Sequence, residues 1–264
     1  MKRLKMIAAA IAAATTLPAF AVGNLADVRV FDRAQGTELP VYWHEGKAYV
    51  TGKPGNEYSV SVRNAAGEDL LAVMSVDGVN VLSGETANAR QGGYIVSPWA
   101  SLDVKGWRKN LGETAAFYFT SLGDSYAGRT GRPDNVGVIG VALYKRKHER
   151  PYSYDPSPGY NTPYREKSAE APSASAQDSA GSLAKRGAAP GAPIGTGHGR
   201  REESQAQYAD FQRATSYPVE TVTIYYDSYR NLVARGVVQQ PVARREPQAF
   251  PGFVPDPVGW RPYR

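Results

Sequence analysis

Residues 25–144 are a succession of short β-type runs broken by Gly, Pro, Asn and Asp, with no sustained helical period, and this pattern confines the chain to an all-β architecture. Tyr58, Val60 and Val62 alternate with Ser59, Ser61 and Arg63, so a strand there buries one face and wets the other. Leu102 and Val104 against Asp103 and Lys105 repeat the alternation, and Phe117 and Phe119 do so less regularly. Leu70–Val76 and residues 136–144 are instead almost continuously apolar, as expected of strands covered on both faces. Asp77-Gly78 separates the first of these runs from residues 79–82, a two-residue spacing that predicts a hairpin with a type I′ turn.

Gly137 and Gly140 weaken the second apolar run and mark a bulge or a close approach, with Trp107, Tyr118 or Phe119 expected to fill the space. The expected fold is a β-sandwich of immunoglobulin-like or jelly-roll type. An outer-membrane barrel would also alternate, but the segments are irregular and a long polar stretch interrupts them.

Residues 1–21 combine a basic start (Lys2, Arg3, Lys5), an apolar run at 6–14 and the small-residue site Pro18-Ala19-Phe20-Ala21, the pattern of a cleaved export signal. The apolar run is much shorter than the roughly 20 residues of a spanning helix, so no transmembrane span is expected in the mature form. Without the three basic residues of this segment the formal charge falls from +6 to +3, too little for the concentrated basic face that nucleic acid requires. The chain has no cysteine, so in an oxidising periplasm or outside the cell it must be held by its core alone.

Composition changes after His148. Residues 151–206 are dominated by Pro, Tyr, Ala, Ser and Gly and bury too little to offset an ordering entropy of roughly 1–2 kcal/mol per residue. They are expected to form a disordered linker between a 22–150 sandwich domain and a C-terminal segment, 207–240. Within that segment, Val222, Ile224 and Tyr226 alternate with Thr221, Thr223 and Tyr225 as in a strand; Asp227 or Ser228 can then cap a short helix that Gly236 stops. A strand and one helical turn are not stable alone, so they are expected to dock on the sandwich by pairing with a sheet edge, or to add to another protein. Residues 241–264 read as a Pro-rich tail with aromatic anchors at Phe250, Phe253 and Trp260.

No motif organises catalysis. Gly123-Asp124-Ser125-Tyr126 resembles the serine block of GDSL-type hydrolases, but His44, His148 and His198 all lack an Asp three residues before them, and a turn between strands is the simpler expectation. Three scattered histidines without cysteine give no metal-ligand spacing, Gly52-Lys53-Pro54 departs from a phosphate-binding loop, and the glycines of 194–199 come after no strand and read as a hinge. No catalytic residue, metal or cofactor is therefore assigned. The best ligand candidate is the loop 128–135, whose Arg129 and Arg132 could grip a carboxylate or phosphate from a glycine-rich turn. The competing account has Arg132 pairing with Asp134. Trp99, Trp107 and Arg108 are candidates for an adjoining aromatic surface, with at least one tryptophan explained by core packing.

The blocks VDGVNVLSG at 76–84, GYIVSP at 93–98, KGWRKN at 105–110 and GRTGRPDNVGVIGVALY at 128–144 resemble a family of uncharacterised secreted or periplasmic proteins of Gram-negative bacteria. GTGHGRREES at 195–204 and TIYYDSYRNLVARGV at 223–237 are similar to the C-terminal portion of that family, which suggests that the glycines near 195 return the chain to the domain. The resemblance implies an envelope or secreted location and no particular activity. Two function classes stay open: an exported, non-enzymatic protein that binds an envelope protein or an anionic ligand, and a hydrolase of envelope glycans or esters whose carboxylates meet only in the fold.

Overall fold

The computed structural model describes residues 22–148 and 191–239; the expected export signal, most of the expected linker and the tail lie outside them. In chain order the strands are Ala26–Asp32 (β1), Thr37–Glu38 (β2), Val41–His44 (β3), Lys47–Gly52 (β4), Glu57–Asn64 (β5), Leu70–Val76 (β6) and Val79–Asn80 (β7). Next are Tyr94–Val96 (β8), Ser101–Val104 (β9), Gly106–Arg108 (β10) and Glu113–Ser121 (β11). After the one-turn helix Tyr126–Arg129 (α1) come Val138–Lys145 (β12), Ile194–Glu203 (β13), Glu220–Ser228 (β14) and the helix Tyr229–Ala234 (α2).

These strands form two seven-stranded sheets, and the expected β-sandwich is the fold. In the first sheet β2, β1, β5 and β11 lie in order; β9 and β10 fit along β5 and β11, and β13 pairs with the other side of β11. The second runs β3-β4-β14-β12-β6-β7, with β8 beside β6. One apolar core fills the space between them, with Val28, Val60 and Phe117 from one sheet meeting Met74, Val141 and Ile224 from the other. Tyr58, Val60 and Val62 are fully buried as their alternation requires.

The continuous apolar runs have the predicted cause. Leu70, Ala72 and Met74 of β6 face the core, while Leu71 and Val73 join Ala142 and Tyr144 in a second cluster on the outer face, under Phe211. The Asp77-Gly78 turn also forms as predicted: β6 and β7 pair antiparallel, and both turn residues take positive φ, 53° and 71°.

Four expectations need correction. Within the stretch read as linker and hinge, residues 194–203 are β13, hydrogen-bonded along β11. Glycine makes this strand possible, because a Cβ on Gly197 would run into the Tyr118 ring and one on Gly199 into the backbone of Ala116. Large side chains of the neighbouring strand thus supply the burial that β13 lacks.

The distal strand β14 is not an edge addition. It lies inside the second sheet, antiparallel to β12 through Ile139↔Ile224 and parallel to β4 through Ile224↔Ala48. The 22–150 region is therefore an incomplete sandwich, whose second sheet is divided without β14. Ser228 caps α2 by accepting from Asn231 N, and Gly236 takes φ 71° beyond its end, as expected.

Close approach does explain Gly137 and Gly140, but the aromatic rings expected there pack elsewhere. A Cβ on Gly140 would meet Ser75 Oγ at 2.9 Å, and one on Gly137 the Tyr226 carbonyl oxygen at 3.0 Å. Phe119 instead faces Gly52, where a Cβ would lie 2.7 Å from the ring. The fourth correction concerns 123–126: in place of a simple turn, Leu122–Asp124 makes a 3₁₀ turn and Ser125 caps α1.

Candidate functional site

Two polar constellations stand out from this apolar frame, one sealed and one open. The sealed one is centred on Asp77, whose side chain points between the sheets. Its Oδ1 accepts from the Tyr226 hydroxyl at 2.5 Å and from Gly137 N at 2.9 Å, and its Oδ2 accepts from Thr196 N at 2.7 Å. The Thr196 hydroxyl lies 2.6 Å from both the Tyr58 and the Tyr226 hydroxyls. Residues of β5, β13, β14 and the turn before β7 are thereby joined. Burial pushes the Asp77 carboxyl up to about 6 against the pull of these donors, and the same burial beside Asp77 raises the phenols of Tyr58 and Tyr226. The Asp77 carboxyl, the Thr196 hydroxyl and both phenols are buried, so the network acts as a lock between sheets.

The open constellation lies at one end of the sandwich, around α1. Ser125 Oγ accepts from Gly128 N at 3.0 Å and donates to the Leu122 carbonyl at 2.7 Å, which fixes the start of the turn. Gly131, at φ 74°, lets the chain reverse, and Arg132 N returns to the Ala127 carbonyl at 2.8 Å. The loop that presents Arg129 and Arg132 is thus built by its own backbone hydrogen bonds.

Tyr126 is the hub of this end. Its ring lies 4.9 Å from that of Trp107 and 5.6 Å from that of His198, and Lys109 Nζ sits 5.8 Å from its centroid. Arg129 is exposed, one helical turn from Tyr126, and its side chain makes no hydrogen bond or ion pair with a described residue. Arg132 does not pair with Asp134; its Nη1 reaches only the Gly84 carbonyl, at 3.4 Å. A lysine just past β10 therefore lies over one aromatic residue, backed by a fully buried indole, at the start of the turn that carries the two arginines.

Of the residues singled out in the sequence, Arg129 and Arg132 are where a ligand can reach them. Trp107 is 1% exposed, edge-on to Phe117 at 4.8 Å, and supports the surface from beneath without being part of it. Arg108 is already engaged: it donates to the Ser204 carbonyl, to Ser204 Oγ at 3.0 Å and to the Tyr94 hydroxyl at 3.3 Å, clamping the chain after β13. Trp99 is exposed in a different turn, at φ 62°. Tyr126, Lys109 and His198 were missed as members of the site. His198 sits in the stretch read as linker, so nothing in its local sequence placed it beside Tyr126.

Carboxylates do meet in the fold, on β5 and β13, but among arginines. Arg33 bridges Glu57 at 3.2 Å and Glu202 at 2.8 Å, and Arg200 bridges the same two at 2.8 and 2.6 Å. The hydrogen bond from Arg200 holds Glu57 below the usual carboxylate range, opposite to what a general acid needs. Among the described residues no group of three or more His, Asp or Glu side chains is arranged to hold a metal ion, and no helix is long and apolar enough to cross a membrane.

Fold and site together define a β-sandwich whose α1 end presents two arginines on a turn held by its own hydrogen bonds. Comparison with family models, curated proteins and solved structures finds no match to the chain.

Proposed function

We propose that this is an exported, non-enzymatic protein of the Gram-negative cell envelope, which uses the α1 end of its sandwich to bind an anionic group on an envelope component. The observation that carries this reading is the pair of arginines on the turn that begins at Tyr126: the Arg129 side chain is exposed and makes no hydrogen bond or ion pair with a described residue, its one partner being the field of Tyr118, and Arg132 has one long contact. Two forked guanidiniums on a turn held by its own hydrogen bonds suit a phosphate or carboxylate, and the neighbouring ring suits the sugar or acyl portion that carries it. The signal-like residues 1–21 and the resemblance to secreted proteins support export. The arginine-bound state of Glu57 and Glu202 favours binding over glycan or ester hydrolysis.

The test is a titration of the mature chain with a phosphate-bearing envelope glycan, read by chemical shifts of Arg129, Arg132 and Tyr126. The R129A/R132A variant is expected to keep its thermal midpoint and lose at least tenfold in affinity. Equal affinity of the variant and the parent would refute the assignment.

A further inference from the structure

At the other end of β14 the second sheet has a notch. Strand β4 pairs with β14 only over Ile224–Ser228, so residues 220–223 have β12 on one side and no strand on the other among the described residues. Residues 22–24 cross this gap, held by the Glu220 carboxylate, which accepts from Asn24 N and Leu25 N at 2.6 Å each. An open groove of about 330 Å³ remains between them and the β3–β4 turn, with Trp43, Lys47, Val222 and Tyr225 in its walls. Trp43 is 51% exposed there, although it lies in register with Ala48.

We infer that this groove is the docking site of the chain's own C-terminal segment, residues 248–264, with Phe250 and Phe253 seated beside Trp43. The first argument is where the described chain ends. Val237 and Val238 pack with Tyr49 and against Tyr225, which is also a wall of the groove, so the chain departs from the groove's own margin. The second argument is reach. From β14 to β3 is two strand spacings, about 10 Å, whereas the stretch from Gln239 to Phe250 extends to about 36 Å. A tether of that length keeps the segment at millimolar effective concentration.

Composition fixes the mode of binding. Pro251, Pro255, Pro257 and Pro262 lack the N–H that a ladder beside β14 would need, so the segment enters through side chains, as proline-rich segments do in aromatic-lined grooves. Phe250 and Phe253 flank Pro251-Gly252 and supply two rings at short spacing.

The experiment uses the full mature chain and its F250A/F253A variant, with the Trp43 indole resonance assigned through W43F. The substitutions are expected to shift that resonance and to raise acrylamide quenching of Trp43 at least twofold, while the indole resonance of buried Trp107 stays in place. The effect is expected to be the same at 5 and 500 µM protein. An unchanged Trp43 signal would overturn the inference, and a shift that disappears on dilution would assign the groove to the tail of a second copy instead. Neither result bears on ligand binding at Arg129 and Arg132, which is measured separately.

Discussion

Asp77 sits at the centre of the buried network that joins the two sheets through Thr196. Removing its side chain leaves Gly137 N and Thr196 N without acceptors and the Tyr226 hydroxyl with Thr196 Oγ1 alone, so D77A is expected to cost roughly 3–5 kcal/mol in urea unfolding. The carboxyl also has a defined pH signature. Its pKa rises from an ordinary 3.8 to about 6 on folding because burial disfavours the charge. Across that window the folded state holds more proton than the unfolded one, so the contribution of Asp77 is complete below about pH 4 and is lost as pH rises through 6. Compared with D77N, which tolerates the same positive φ, the parent protein is expected to lose up to about 3 kcal/mol of its advantage between those limits. Equal pH slopes for the two proteins would remove this assignment. The Asp77-Gly78 turn was legible, because two residues between apolar runs prescribe its backbone. Its side chain's destination was not, because the partner Thr196 is 119 positions away.

At the scale of elements, glycine-rich composition was mistaken for lack of structure. A composition reading assumes that each strand brings its own buried side chains, whereas β13 brings space and Tyr118 fills it. G197A is accordingly expected to lose about 2 kcal/mol by overpacking, measured by thermal or urea unfolding. The alternation of Val222, Ile224 and Tyr226 did predict β14, with all three buried. Its place between β4 and β12 was hidden, since period-2 patterning names the buried face and says nothing of the neighbours. The consequence is testable with fragments. Residues 22–148 alone are expected to unfold without cooperativity, and a chain of residues 191–239 added in trans is expected to restore a cooperative transition. A cooperative, equally stable 22–148 fragment would show that β13 and β14 are accessories.

For the whole molecule, two sheets over one apolar core carry the fold without a disulfide, and the exposed polar features lie at the ends of the sandwich. One end has Lys109 over Tyr126 and the turn that presents Arg129 and Arg132; the other has the groove beside Trp43. The arginines were visible in the sequence because a glycine-rich connection between strands holds two forked cations in four residues. The surface that supports them was not, since Lys109, Tyr126 and His198 reach it from three separate elements. Export and anion recognition make one joint proposal, and site-specific photocrosslinking in living Gram-negative cells tests it most directly. With a photoreactive residue at position 129, the account predicts a processed protein lacking residues 1–21, crosslinked to an envelope component, while the same residue at exposed position 63 gives no such product. An unprocessed cytoplasmic protein, or equal labelling from both positions, would contradict it.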